Sequence, residues 1–520
     1  MSMSLISLEF FIFLFLICVV YFLLPAQFQW VWLLIGSIFF YYRLSYYSVF
    51  GYVSFLVIIL VNWAGSLFMG EESPKRGVVY KSVLIFDVLS LVLFKYSEFL
   101  YKIILSIGNL FKADLSNEVC NEFVLFMQEN CPEKISYFAL IIIAYITDVY
   151  WGKSKALRNP GKTMLFASYF PLMTSGPIVT IEQMENQLFG EKHRFSYDRC
   201  VRGLERVLWG LFKKMVLSER LAVIVSWIYD HYEAYTGLYV FVAAAMFAMQ
   251  LYCDFSGLMD IVLGSSEILG INLPENFDTP FYSTNLSEFW RRWHITLGAF
   301  LRDYVLYPVQ RSRGFKKMRK YFKEHLGKGY EKKCNIPLYL SLLISWFLIG
   351  LWHGGGWNYI FGVGLYMWVV IVTGELLTPV FSRIVKVLRI NTECASYTLF
   401  LRLRTFILFM FGLSFFRAKT LEDGFLMWRY AFFRFNPWIF FDESFFNMGL
   451  DRREWGILAF GMILLFIVSY ISQKRDVRAF IKEQNIVARY LIFAFLFVMI
   501  IVYGYYGADF NAADFIYGKF

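Results

Sequence analysis

The sequence predicts an all-α protein that crosses a membrane many times, and three observations carry the prediction. Hydrophobic residues make up 58% of the 520 residues and charged residues only 17%. Apolar runs near twenty residues recur, each long enough to cross a hydrocarbon core about 30 Å thick. Apolar and polar residues do not alternate within these runs. That removes a transmembrane barrel and leaves helices as the structures that satisfy every backbone group in lipid.

Twelve runs qualify as spans, at about 5–24, 28–43, 47–69, 81–108, 135–150, 203–228, 236–268, 336–353, 357–377, 398–417, 455–473 and 487–507. The first lacks the basic leader and small-residue cleavage site of a signal peptide, so it reads as a retained span. "EESPKRGVVYK" follows the third span, "GKSKALRNPGK" the fifth and "QKRDVRAFIKEQ" the eleventh, and "RSRGFKKMRKYFKEHLGKGYEKK" precedes the eighth. All four loops are basic, and all fall on one side if the N-terminus is outside. The opposing loops, "DLSNEVCNE", "YDHYEAYTG" and "FDESFFNMGLD", are acidic or neutral. The positive-inside rule then places both termini outside. It also accounts for the net charge of +10 without a nucleic-acid partner. No stretch between spans is long enough to bury a core of its own. The chain therefore reads as a single transmembrane domain, 1–520, with N-terminal helices over 1–110, a core over 135–380 and C-terminal helices over 398–520.

Two apolar stretches do not read as spans. Residues 166–188 contain Pro171, Gly176 and Pro177; proline removes a backbone donor, so this segment is expected to dip in and return, or to lie at the interface. In 286–310, Phe289, Trp293, Leu297, Phe300, Leu301 and Tyr304 recur at helical spacing, interrupted by Arg291, Arg292, Arg302 and Asp303. That pattern predicts one amphipathic helix at the membrane surface or under the bundle.

Among the five histidines, His193, His231 and His325 sit in charged loops and read as solvated surface. His294 lies in the aromatic stretch beside two arginines, and His353 ends an apolar run before Gly354, Gly355 and Gly356. An ionisable side chain at membrane depth is a functional candidate by default. The glycines would end the helix at His353 and leave room beside an imidazole able to act as a general base near neutral pH. Asp254 and Asp260 fall in another apolar run, with Ser256 and Gly257 between them. Buried carboxylates need partners, and Arg291, Arg292 and Arg302 are the expected ones, holding the floor of a pocket. The seven cysteines show no CxxC spacing, so no metal site is expected. Cys120 and Cys131 share a polar loop in which a disulfide is one possibility.

With "EFWRRWH" and "LWHGGGWNYIFGVGLYMW" in view, the chain resembles the membrane-bound O-acyltransferases, and within them the bacterial branch of alginate, peptidoglycan and teichoic-acid modifying membrane proteins. "FKYSEFL", "ITDVYWG", "FPLMTSGP", "QLYCDFSGLMDIVLG", "ENFDTPFYSTNLSEFWRRWHITLGAFLRDYVLYP" and the closing "YGYYGADFNAADFIYGKF" follow in family order. The chain departs from the family wording in two places. Glu133 and Lys134 stand where "GISFY" is usual, and "FSGLMD" replaces "FSGYSD".

The resemblance implies a ring of tilted helices around a central tunnel, in a bacterial cytoplasmic membrane. It makes His353 the essential histidine and His294 the second. Substrate contacts are expected from Trp352, Gly354, Gly355, Trp290, Arg291, Arg292, Asp254, Ser256 and Asn358. No bound cofactor is implied. The donor would be acetyl-coenzyme A, or an acyl carrier thioester, on the cytoplasmic side. The acceptor would be an extracytoplasmic hydroxyl of an exopolysaccharide or cell-wall polymer, reached through a partner esterase-like (SGNH) transferase. D-alanyl transfer to teichoic acid and a non-catalytic acyl or polymer transporter are the rival readings.

Overall fold

The computed structural model describes residues 3–45, 48–70, 73–113, 116–327, 329, 335–506 and 516. The end of the basic run, including Lys332 and Lys333, and nearly all of the closing motif after Tyr506 lie outside the described residues. Among the described residues the regular structure is helical, and eight helices are long and apolar enough to cross a membrane. Two shorter apolar helices, Leu8–Leu23 and Ile135–Trp151, accompany them. The chain forms two compact units.

The first unit comprises Met1–Leu211, Leu258–Pro274 and Tyr506–Lys519. Helix Ile135–Trp151 is apolar all round and buried at fourteen of its seventeen positions, as a helix without a polar face must be. Helix Arg76–Lys95 buries only Val83 and Asp87; Asn62 Nδ2 donates to the Asp87 carboxyl at 2.7 Å. The run 81–108 divides at Tyr96 into Arg76–Lys95 and Ser97–Leu110. The proline-rich stretch is broken, as expected. Helix Pro160–Ser168 is capped by Asn159, and Ile181–Phe189 begins with a Thr180–Gln183 capping box. The chain from Thr163 to Val179 is buried in protein throughout. Protein satisfies its backbone there: Leu172 N donates to Tyr169 O at 2.8 Å, Gly176 N to Leu172 O at 3.0 Å and Phe170 N to Ser37 Oγ at 3.1 Å.

Phe212–Gly257 and Glu275–Tyr505 make up nearly all of the second unit. Its central feature is a helical hairpin, Ile336–His353 and Trp357–Leu376, joined only by Gly354–Gly356. Small residues let the two backbones touch. A Cβ on Gly350 would lie 2.7 Å from Ile360 Cα, and one on Gly364 would lie 2.9 Å from Trp346 O. The expected span 203–228 is interrupted by a π-helical turn, Phe212–Ser218, followed by helix Glu219–Asp230. The expected continuous helix over 286–310 is also corrected. It forms as Leu286–Arg292 and Ile295–Leu301, with a π turn at Arg302–Leu306 and a last helix at Tyr307–Arg311.

His193 corrects its surface reading. It is buried, its Nε2 2.7 Å from Gln187 O, and its backbone is clasped by the Gln29 amide. His231 and His325 are exposed as expected. Cys120 and Cys131 are free thiols.

Candidate functional site

His353 is the last residue of its helix, because the chain turns fully extended at Gly354, with φ −178° and ψ 147°. Any residue can adopt that backbone, so the requirement for glycine is spatial. A Cβ there would meet the Tyr359 ring at 2.6 Å. The space at Gly354 is therefore filled by Tyr359. The room beside the imidazole lies elsewhere, in the cavity described below. His353 is only 3% exposed, with its ring 5.0 Å from Trp352 and 5.3 Å from Phe416. Gly356 N donates to Gly354 O at 2.8 Å, which commits one of the backbone donors of the glycine turn.

His294 sits at the break between two short helices, in the left-handed region with φ 49° and ψ 52°. A non-glycine residue held there is uncommon and costs of order 1–3 kcal/mol, which the surroundings must supply. The segment following Pro274 supplies it. Asn276 Oδ1 accepts from His294 Nδ1 at 3.2 Å, from Thr296 N at 3.0 Å and from Thr296 Oγ1 at 3.0 Å. Ile295 N donates to Asn276 O at 3.0 Å, and Asp278 N to Arg292 O at 2.9 Å. Phe255 packs edge-on against the imidazole at 4.8 Å. Burial pushes the His294 pKa down to about 3, so the ring is neutral. With a carbonyl oxygen facing Nδ1, the proton belongs on that nitrogen.

Both imidazoles line one cavity of about 150 Å³. Its wall is mostly apolar and aromatic, with Trp290, Trp293 and Trp346 among the lining, and Ser345 and Arg302 among the few polar groups. Such a lining leaves a small number of polar groups to orient a ligand. Trp352 lies between the two histidines, its ring 5.8 Å from His294 and 5.0 Å from His353.

The other expected contacts divide. Trp290 lines the cavity and packs on Trp346 at 5.1 Å. Gly355 and Arg291 are exposed. Asn358 is buried and donates to Ala418 O at 3.0 Å. The arginine partners expected for the acidic pair are corrected. Asp254 pairs with Lys214 at 2.6 Å and Asp260 with Arg206 at 2.9 Å, whereas Arg292 pairs with Glu288 at 2.9 Å and Arg302 with Asp303 at 2.8 Å. Ser256 accepts from Lys213 Nζ at 2.9 Å. Lys214 also meets Glu219 at 2.5 Å. Both lysines are buried on the π turn and were not among the expected site residues. "GLFKKMVLS" carries the signal, since two adjacent cations inside an apolar run demand buried partners. Asn276 gave no comparable signal.

Residues 159–322 match the family model described as "MBOAT, membrane-bound O-acyltransferase family". The chain is similar to the probable alginate O-acetylase AlgI of Azotobacter vinelandii, 28% identical over 83% of this chain and 78% of that protein. It is also similar to the peptidoglycan O-acetyltransferase of Helicobacter pylori, 28% identical over 65% of this chain and 64% of that protein. The teichoic acid D-alanyltransferase of Bacillus subtilis is 28% identical over 45% of this chain and 56% of its own length. His294 lies inside the matched family segment, and His353 lies beyond it. Acyl transfer to a hydroxyl needs a base for the acceptor and hydrogen-bond donors for the oxyanion, and imidazole and backbone N–H are groups of those kinds.

Proposed function

We propose that the protein transfers an acetyl group from a thioester on the cytoplasmic side to a hydroxyl on the outer side, for O-acetylation of an exopolysaccharide or cell-wall polymer. The observation that carries this reading is the cavity shared by His294 and His353. Its acetyl specificity rests on the relatives, a probable alginate O-acetylase and a peptidoglycan O-acetyltransferase.

In this mechanism the acceptor hydroxyl donates its proton to the His353 imidazole as its oxygen attacks the thioester carbonyl. A C–O bond forms, the C–S bond breaks, and the imidazolium returns the proton to the departing thiolate. The N–H groups of Gly354 and Gly355 and the Trp352 indole are the proposed oxyanion donors. His294 orients the donor; its neutral ring adds no charge. The basic helix Arg313–Leu326 and the exposed Arg291 suit an anionic donor, either acetyl-coenzyme A or an acyl carrier thioester. An extracytoplasmic esterase-like transferase would carry the group onward to the polymer. Similarity to the teichoic acid D-alanyltransferase supports a second reading, in which the group is D-alanyl and the donor a carrier protein.

Incubating the purified protein in detergent with [14C]acetyl-coenzyme A and candidate acceptors tests the proposal. Free coenzyme A should appear with label on the acceptor hydroxyl. Donor left intact with every acceptor, while label passes across proteoliposomes, would point instead to a transporter.

A further inference from the structure

A second cavity in the second unit, of about 730 Å³, lies among the end of helix Trp357–Leu376, the helix Thr378–Val387 and the helix Ala395–Arg417. Its lining mixes apolar side chains such as Val370, Phe381 and Leu408 with polar ones. Two of the polar residues are oppositely charged. Arg404 donates through Nη2 to Thr284 O at 3.0 Å, while its enclosed Nε has no acceptor. Glu375, exposed at the cavity, makes no ion pair among the described residues.

Three of the lining hydroxyls add a direction. Thr378 Oγ1 donates to Gly374 O at 2.9 Å, Thr405 Oγ1 to Leu401 O at 2.8 Å, and Thr373 Oγ1 to Val369 O. Each has spent its only proton, so towards the cavity these oxygens can only accept. The cavity therefore pairs one cation with a carboxylate and several acceptors, which matches a ligand carrying both an anion and an N–H-rich cation.

Helix Thr378–Val387 says what kind of molecule this is. It follows a membrane span directly, buries no residue, and exposes Val380, Phe381, Ile384 and Val387 alongside Arg383 and Lys386. An amphipathic helix with that surface lies in the headgroup region of a bilayer. We propose that this cavity is a binding site for a zwitterionic, primary-amine phospholipid headgroup, with the phosphate on Arg404 and the ammonium on Glu375 and the threonine oxygens, and the acyl chains along the apolar lining.

The test uses delipidated full-length protein in detergent, titrated with dihexanoyl-phosphatidylethanolamine, -phosphatidylglycerol and -phosphatidylcholine, and separately with inorganic phosphate plus ethanolamine. Thermal midpoint shifts are read. Phosphatidylethanolamine should bind with the highest apparent affinity. Glu375→Gln should weaken it about tenfold and leave phosphatidylglycerol unchanged, and Arg404→Gln should weaken both. Glu375 is exposed, so its variant carries the test even if Arg404→Gln does not fold. Equal affinity for the three lipids, tighter binding of phosphatidylglycerol, insensitivity to Glu375→Gln, or a full shift from phosphate plus ethanolamine alone would each overturn the proposal.

Discussion

Removing the ammonium of Lys214 is expected to cost more stability than removing either of its carboxylate partners. Lys214 is 2% exposed and pairs with Asp254 at 2.6 Å and Glu219 at 2.5 Å. The Asp254 side chain is 1% exposed and that of Glu219 13%. Breaking a buried ion pair costs roughly 3–5 kcal/mol, because the surviving charge stays desolvated. Lys214→Met strands two carboxylates and belongs near about 5 kcal/mol. Asp254→Asn leaves Lys214 neutralised by Glu219 and belongs near about 3 kcal/mol or below. Combining Lys214→Met with Asp254→Asn removes both charges of the tighter-buried pair. The double variant should therefore be more stable than Lys214→Met alone, with a coupling of about 1–3 kcal/mol. The assay is denaturant unfolding in mixed micelles, followed by tryptophan fluorescence. Acyl transfer should fall with stability, because Asp254 adjoins Phe255, whose ring is 4.8 Å from His294. Strict additivity of the two substitutions, or a Lys214→Met cost below about 1 kcal/mol, would refute this account of the π turn.

Four further outcomes follow. Asn276→Ala removes the acceptor that orients His294 and Thr296, and should lower kcat about tenfold with little change in KM, read by steady-state acyl transfer. Gly354→Ala forces the Tyr359 ring, which packs 4.9 Å from Phe416, and should cost about 1–3 kcal/mol and most of the activity. The His294 pKa is about 3 in the folded protein against 6.5 for the free side chain, so below pH 6.5 the unfolded chain takes up a proton that the native site refuses. Stability should fall as pH drops from about 6.5 towards 3, by up to about 1.4 kcal/mol per unit from this residue, and His294→Gln should flatten that slope in pH-dependent unfolding. Cys120 is an exposed free thiol, and a membrane-impermeant maleimide should label it in intact cells if its loop is outside as expected; labelling only after lysis would contradict the expected orientation.

Much of the fold was legible because hydrophobic length is a strong signal. The boundaries expected at 336–353, 135–150 and 236–268 match helices Ile336–His353, Ile135–Trp151 and Leu238–Leu269 closely. The break within 166–188 was legible from composition, since Pro171 and Pro177 do not continue a helix. The break at His294 was not. The stripe from Phe289 to Tyr304 keeps helical spacing across it, and the left-handed backbone is imposed by Asn276, a contact that local periodicity does not contain. The partner of Asp254 was missed for a similar reason. Arg291, Arg292 and Arg302 are conspicuous in their aromatic stretch, while the π turn that presents Lys214 is a local distortion with no periodic signature. His193 sits in a charged stretch yet is buried, because Gln29, far away in the sequence, closes over its backbone. Of the two histidines that line the cavity, His353 was the easier to single out, because it precedes three glycines at the end of an apolar run.

Acylation of extracytoplasmic polymer by a His353→Ala variant, at matched protein level and with thermal stability verified, is the most direct measurement. Loss of the imidazole that lines the cavity should reduce transfer by about 10²–10⁴-fold. Transfer at the parent rate would mean that the acceptor proton leaves by another route, and the mechanism centred on His353 would be wrong.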